Sequence, residues 1–436
     1  MDGEKLSKNL SVFLQHIDSI RDTLPMIMLL LRPYNKKTND SYLKFLKNNV
    51  KEIEDDDGNK RLLLKAEESK LYETLQKNAT ISSIAEKIIP DSIFVSLISQ
   101  YDAFLNRLLR AIFEIKPDIL NASDRNILFS QLIEMGSIDY AREYVIEKEI
   151  ETFLRKSHSE QFDYLENRLG MKLREKLPCW QKFVELTERR NLLVHCDGKV
   201  SNQYIKNCQE HGCQLGEIKL GDRLGVPPDY FSKSYKCLYE ISVKLTHTIW
   251  RKLLKSDLKL ADRDLNIICY DLITSRSFEL ADNLLTFAVD QKKHFNEAFK
   301  NVIIINRTLS LYLQGKKDEA NQILDSKDWS ASSDDFKLAY AILKEDFREA
   351  YALMTKIGDN GEVDIFEYKL WPLFNKIREE KEFKDTFKTI FKKEYTVLEI
   401  PKRPIQELIN KEIKKNKDLK NKTVKKVFTE KELRNK

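Results

Sequence analysis

The segment DYFSKSYKCLYEISVKLTHTIWRKLL, residues 229–254, runs without a glycine or proline, and its apolar residues recur at three- and four-residue intervals. A stretch of that kind buries one face as a long amphipathic helix. The rest of the chain permits the same behaviour, because its 436 residues include only 12 glycines and 10 prolines. With 42% hydrophobic and 33% charged residues it has the balance of a globular chain. The expected fold class is therefore all-α, over a length that suits two or three domains.

Further helices are expected over about 1–35, broken or kinked at Pro25; from Pro90, where proline and Asp91 suit a first helical turn; and over 123–135, 137–157 and 160–176. Another is expected from near Pro178 to His195. Residues 36–61 read as loop and short helix. The acidic run Glu54 to Asp57 reads as a solvated turn, since it lacks the glycine and glutamate of a calcium loop. The glycine-containing stretch between His195 and Asp229 reads as a loop insertion.

Several function classes find no support. The longest apolar run, within PMIMLLLRPY, is stopped at Arg32 and is too short to cross a bilayer. The amino terminus lacks the form of a secretory signal, and six irregularly placed cysteines do not suggest a disulfide framework, so a reducing cytoplasm is the expected location. No glycine-rich phosphate loop is present. His195, Cys196, Cys208, His211 and Cys213 are close in sequence, but H-C-x11-C-x2-H-x-C matches no usual zinc spacing; no metal or cofactor is expected. Cys196 is a poor nucleophile candidate, because its helical neighbour His195 projects about 100° away.

Charge is unevenly placed. Residues 402–436 hold 13 Lys or Arg against 5 Asp or Glu, a net of +8 in a chain whose total is +6, so the remainder is slightly acidic. Lys414, Lys415, Lys425 and Lys426 lie in this tail, which either attracts phosphate backbones without sequence preference or is a solvated terminus.

From about 258 to 400 the sequence weakly repeats. FELADNLL (278–285), KDEANQIL (317–324), FREAYALM (347–354) and FKDTFKTI (383–390) align on Ala281, Ala320, Ala350 and Thr386. A small residue there lets a neighbouring helix approach closely. The pattern resembles tetratricopeptide-like repeats, with irregular spacing and without the full signature. The resemblance implies an α-solenoid that binds a protein partner; an ordinary helical bundle is the alternative.

Within ERRNLLVHCDGKV (188–200), a helical projection from Trp180 separates two adjacent arginines. Arg189 falls beside Lys182 and Glu185 on the expected solvated side. Arg190 and Asn191 fall inside the apolar arc with Phe183, Val184, Thr187 and Val194, and His195 lies at its edge. A buried guanidinium must be paired or line a cleft. An arginine fork matches phosphate oxygens, and histidine moves protons near neutral pH. Arg190, Asn191 and His195 thus suit attack of an RNA 2′-hydroxyl on its own phosphodiester; structural pairing is the alternative reading.

RNLLVH (190–195) resembles the R-N-x-x-x-H motif of the HEPN superfamily, helical domains that include many metal-independent ribonucleases. The resemblance covers about 85–257, leaving 1–84 as a separate N-terminal helical region and 401–436 as the tail. It implies a four- or five-helix bundle in which two protomers bring their motifs into one RNA-cleaving cleft. It makes Arg190 and His195 catalytic and Asn191 a supporter of the site. SQYDAFLNRLL (99–109) resembles the acidic helix of these domains, in which Asp102 can pair with Arg190 or orient His195, with Ser99 and Asn106 along the same edge. A toxin or phage-defence setting, or a catalytically silent dimerisation scaffold, would follow from the same family. The insertion after His195 is a departure from the family pattern.

Overall fold

The computed structural model describes residues 2–54, 60–122, 127–175 and 177–396. Among these the fold is all-α: sixteen α-helices, three short 3-10 turns and a single two-stranded hairpin. No described helix is long and apolar enough to cross a membrane. Lys414, Lys415, Lys425 and Lys426 lie outside the described residues, as do Asp55 to Asp57 of the acidic run. The chain divides into two compact units, Met1–Lys327 and Asp328–Lys436.

The first unit begins with α1 (Asp2–Asn49), crosses the hairpin of β1 (Lys51–Glu54) and β2 (Lys60–Leu63), and returns along α2 (Ser69–Ile115). The strands are antiparallel, with Lys51 opposite Leu63 and Glu54 opposite Lys60. Pro25 does not break α1, which also contains Pro33, and Pro90, expected to open a helix, lies inside α2. An interior proline removes one helical hydrogen bond and costs about 3 kcal/mol. Here pairing between α1 and α2 holds the chain direction beyond it. Thr38 meets Ser82 at 2.6 Å, Asn35 donates to Glu86, and Tyr42 and Tyr72 lie 6.0 Å apart. Residues 36–49, within the stretch expected as loop and short helix, are therefore the continuation of α1.

The other end of this pair enters the core. Leu6, Leu10, Phe13, Leu14 and Ile17 of α1 are buried, as are Phe94, Leu97, Tyr101, Phe104 and Leu108 of α2; Phe13 stacks on Phe104 at 4.8 Å. Short helices α3 (Phe129–Met135), α4 (Ile138–Leu154) and α5 (His158–Leu169) follow, then α6 (Trp180–His195). The expected loop insertion contains a helix, α7 (Asn202–Glu210), capped by Ser201 and burying Tyr204 and Cys208. α8 (Pro228–Leu253) is the helix foreseen from residues 229–254, and its buried residues lie on nearly every side.

Next come α9 (Leu258–Thr274), α10 (Phe278–Val289), α11 (Glu297–Leu313) and α12 (Lys317–Asp325). The change of sequence character near 258 is no break in packing, since α9 and α10 both pack on α8. The second unit contains α13 (Asp334–Leu343), α14 (Phe347–Ile357), α15 (Ile365–Leu370) and α16 (Lys381–Phe391), around Tyr368, Phe374, Phe383 and Phe387.

One turn recurs at three helix junctions. Arg276, Gly315 and Glu345 have φ of 61°, 82° and 61°. The next amide in each case, of Ser277, Lys316 or Asp346, reaches back to the carbonyl of Leu272, Leu311 or Ala341 at 2.8–3.0 Å. This closes the first helix of each pair in a left-handed cap. The second helix then starts on the next residue, and its Ala281, Ala320 or Ala350 is buried. Thr386 is only half-buried and follows a different turn.

The end of α6 is fixed by a glycine. The amides of Cys196 and Gly198 both bond the carbonyl of Leu192, at 2.8 and 3.0 Å, with Gly198 at φ +73°. A Cβ at Gly198 would stand 2.7 Å from the Leu224 carbonyl oxygen. Gly198→Ala is expected to destabilise the protein by about 1–3 kcal/mol in urea unfolding; an unchanged midpoint would remove this turn from what orients the helix end.

Candidate functional site

Asp102 projects from α2 toward α6, where one carboxylate oxygen accepts from Arg190 Nη2 at 2.8 Å. The other oxygen lies 2.9 Å from Nε2 of His158, the first residue of α5. A carboxylate only accepts, so His158 Nε2 carries the hydrogen and the ring is held in that orientation. Arg190 Nη1 donates to Asn191 Oδ1 at 3.1 Å, while its Nε is buried without a partner among the described residues. Three helices thus converge on one carboxylate, and the guanidinium remains partly open, with its side chain 24% exposed.

Local structure places each of these groups. Ser157 caps α5 in a reciprocal box with Glu160, which fixes where His158 leaves the helix. The His158 ring is 8% exposed and packs edge-on against Phe183 of α6 at 5.7 Å, and at 6.0 Å from Tyr101 of α2. Phe183 in turn meets Phe162 and Trp180, so the aromatic layer beneath the site sets the spacing of α2, α5 and α6. Beside the site, burial pushes the Glu188 carboxyl up, while hydrogen bonds to Asn207 and Asn191 and the nearby His158 and His211 act in the opposite sense.

The two arginines do not divide as the helical projection suggests. Arg189 is only 9% exposed, so its expected place in solvent is corrected. Its Nε donates to Glu185 at 2.8 Å, Nη1 donates to the Gly225 carbonyl at 3.1 Å, and its guanidinium lies 3.8 Å from the ring centre of Tyr230. Glu185 also accepts from the hydroxyls of Tyr204 and Tyr230, both at 2.8 Å. Burial pushes the Tyr204 and Tyr230 phenols well up, and the neighbouring Glu185 adds to it. The insertion and α8 cover this face of α6, so its polar residues pair with one another away from water. This network fastens the insertion to α6; Leu192, Val200, Tyr204 and Cys208 form a small apolar core beneath it.

The remaining residues expected at the site are placed as follows. Asn191 is half-buried beside Arg190, and His195 is exposed in the last turn of α6. Val194, read as apolar arc, is 49% exposed, so the arc runs out into solvent at this end. Ser99 is exposed and bonds back to Val95, and Asn106 is half-buried. The structure therefore joins Asp102, Arg190 and Asn191, adds His158, and leaves His195 exposed at the end of α6. No sequence motif marked His158, although its position directly after a serine cap, with glutamate at the third helical position, marks a helix start that could have located it. Among the described residues no group of three or more His, Cys, Asp or Glu side chains is arranged to hold a metal ion. In comparisons with known proteins, the chain matches no family model, no curated protein and no solved structure.

Asp102→Asn would leave Arg190 and His158 with one acceptor oxygen between them. Because the pair is partly solvated, the expected loss is about 1–3 kcal/mol in denaturant unfolding, below that of a fully buried pair; wild-type stability would contradict the bridging role.

Proposed function

We propose that this protein is a HEPN-type, metal-independent endoribonuclease acting as a homodimer. The observation that supports this reading most is the 2.8 Å ion pair between Arg190, from the RNLLVH segment, and Asp102, from the SQYDAFLNRLL segment, because it joins the two segments that resemble the family. In this reading His195 and Val194, both exposed in the last turn of the same helix, supply a proton-transfer group and an apolar contact.

In this reading Arg190 turns its fork to the phosphate and stabilises the charge that builds on its oxygens. The RNA 2′-oxygen attacks phosphorus and gives its proton to an imidazole, and the P–O5′ bond breaks as the leaving oxygen takes a proton. The products are a 2′,3′-cyclic phosphate and a 5′-hydroxyl. The nucleophile belongs to the substrate, so no metal is needed to generate it. One His195 per chain serves one of the two proton transfers, and a second copy supplies the other. Lys414, Lys415, Lys425 and Lys426 add RNA affinity of the salt-sensitive kind, and the hairpins bearing Ala281 and Ala320 in the first unit, and that bearing Ala350 in the second, each offer a surface to a protein partner.

A second reading, a silent dimerisation scaffold, is favoured by one observation: both terminal nitrogens of Arg190 already have partners within the chain. Incubation with RNA in EDTA separates the two. The enzyme reading predicts cleavage that falls by about 10²–10⁴-fold in His195→Ala with the melting temperature unchanged, and comparably in Arg190→Lys. RNA left intact by the wild-type protein, or cut equally by His195→Ala, would overturn it.

A further inference from the structure

We propose that His158 is a positioning residue of the Arg190 site and takes up a proton when a phosphodiester binds there. This rests on the reading of Arg190 as a phosphate ligand. In the free protein one carboxylate serves two donors: Asp102 holds Arg190 through one oxygen and His158 through the other. A phosphodiester on the Arg190 fork brings a second negative charge against the same guanidinium, and the cation that balanced Asp102 is now shared. The nearest group able to restore the balance is His158, already hydrogen-bonded to Asp102 through Nε2. Protonation at Nδ1 makes that contact an ion pair and lets the carboxylate move from Arg190 toward the imidazole, so the arginine becomes free for substrate without leaving Asp102 uncompensated.

The surroundings of His158 suit this role. Charged groups facing it are Asp102 from α2 and Arg190 and Glu188 from α6. Of these, the two carboxyl groups favour an imidazolium and the guanidinium opposes it. The other titratable neighbours are the Tyr101 phenol, held neutral by burial, Lys156 in the turn before α5, Glu160 engaged with Ser157, and the exposed Asp118 in the 3-10 turn Pro117–Ala122 that packs on α5. Anion binding that draws Arg190 outward therefore removes the main opposing charge. The ring need not move, since the serine cap and the Phe183 and Tyr101 contacts fix it.

The test uses full-length protein carrying His195→Ala, so that the exposed imidazole does not contribute, and oligothymidylate, which has phosphodiesters but no 2′-hydroxyl and no base that titrates near neutrality. Affinity is measured by calorimetry between about pH 5.5 and 8, the range in which imidazoles titrate. Binding should weaken by up to about tenfold per pH unit as pH rises, with proton uptake visible as a buffer-dependent heat. His158→Gln should flatten the slope while retaining Arg190-dependent binding, and Asp102→Asn, which leaves the imidazole in place, should flatten it as well. A slope identical in the parent and His158→Gln would overturn the proposal and leave the ribonuclease reading standing. Binding that does not depend on Arg190 would overturn both.

Discussion

The carboxylate of Asp102 is the point on which the candidate site depends. It joins α2, α5 and α6 through two hydrogen bonds of 2.8 and 2.9 Å, one to a guanidinium and one to an imidazole. In the free protein that one carboxylate orients both partners. The carboxylate is only partly withdrawn from solvent, with its side chain 27% exposed, so the pairing contributes modest free energy, and its larger effect is to hold three packed helices in a single defined arrangement. The aromatic layer of Tyr101, Phe162, Phe183 and Trp180 supplies the complementary constraint, setting how close the helices come.

A second polar network lies on another face of α6 and has a different task. Arg189, Glu185, Tyr204 and Tyr230 satisfy one another and tie the insertion to the helix. With Gly198 closing the last turn, they fix the direction of α6 at the end where His195 emerges. The two adjacent arginines are thus both buried to a large degree, one committed to holding structure and one facing a partly open carboxylate.

Much of this was legible in the chain. The scarcity of glycine and proline gave the all-α class and residues 229–254 gave α8. The apolar setting of Arg190 called for a partner or a cleft, and Asp102, one possible partner under the family resemblance, is paired with it. The failures have physical causes. A helical projection sees only one helix, so it cannot know that Tyr204 and Tyr230 come from elsewhere to cover Arg189 and Glu185. Local rules break or kink a helix at Pro25 and start one at Pro90, whereas α1 and α2 run through both positions and their pairing outweighs that cost. His158 carries no motif, and its meaning arises only when α5 packs beside Asp102. The repeat was visible as aligned small residues, but the shared left-handed turn at Arg276, Gly315 and Glu345 was not, since two of the three residues there are not glycine.

The most direct measurement of the central claim uses an oligonucleotide that is deoxy throughout except for one ribonucleotide, incubated with the protein in EDTA and analysed by mass spectrometry. The account predicts a single cut 3′ of that ribose, leaving a 2′,3′-cyclic phosphate and a 5′-hydroxyl. Cleavage at deoxy positions, a 3′-hydroxyl product, or an intact strand would contradict it.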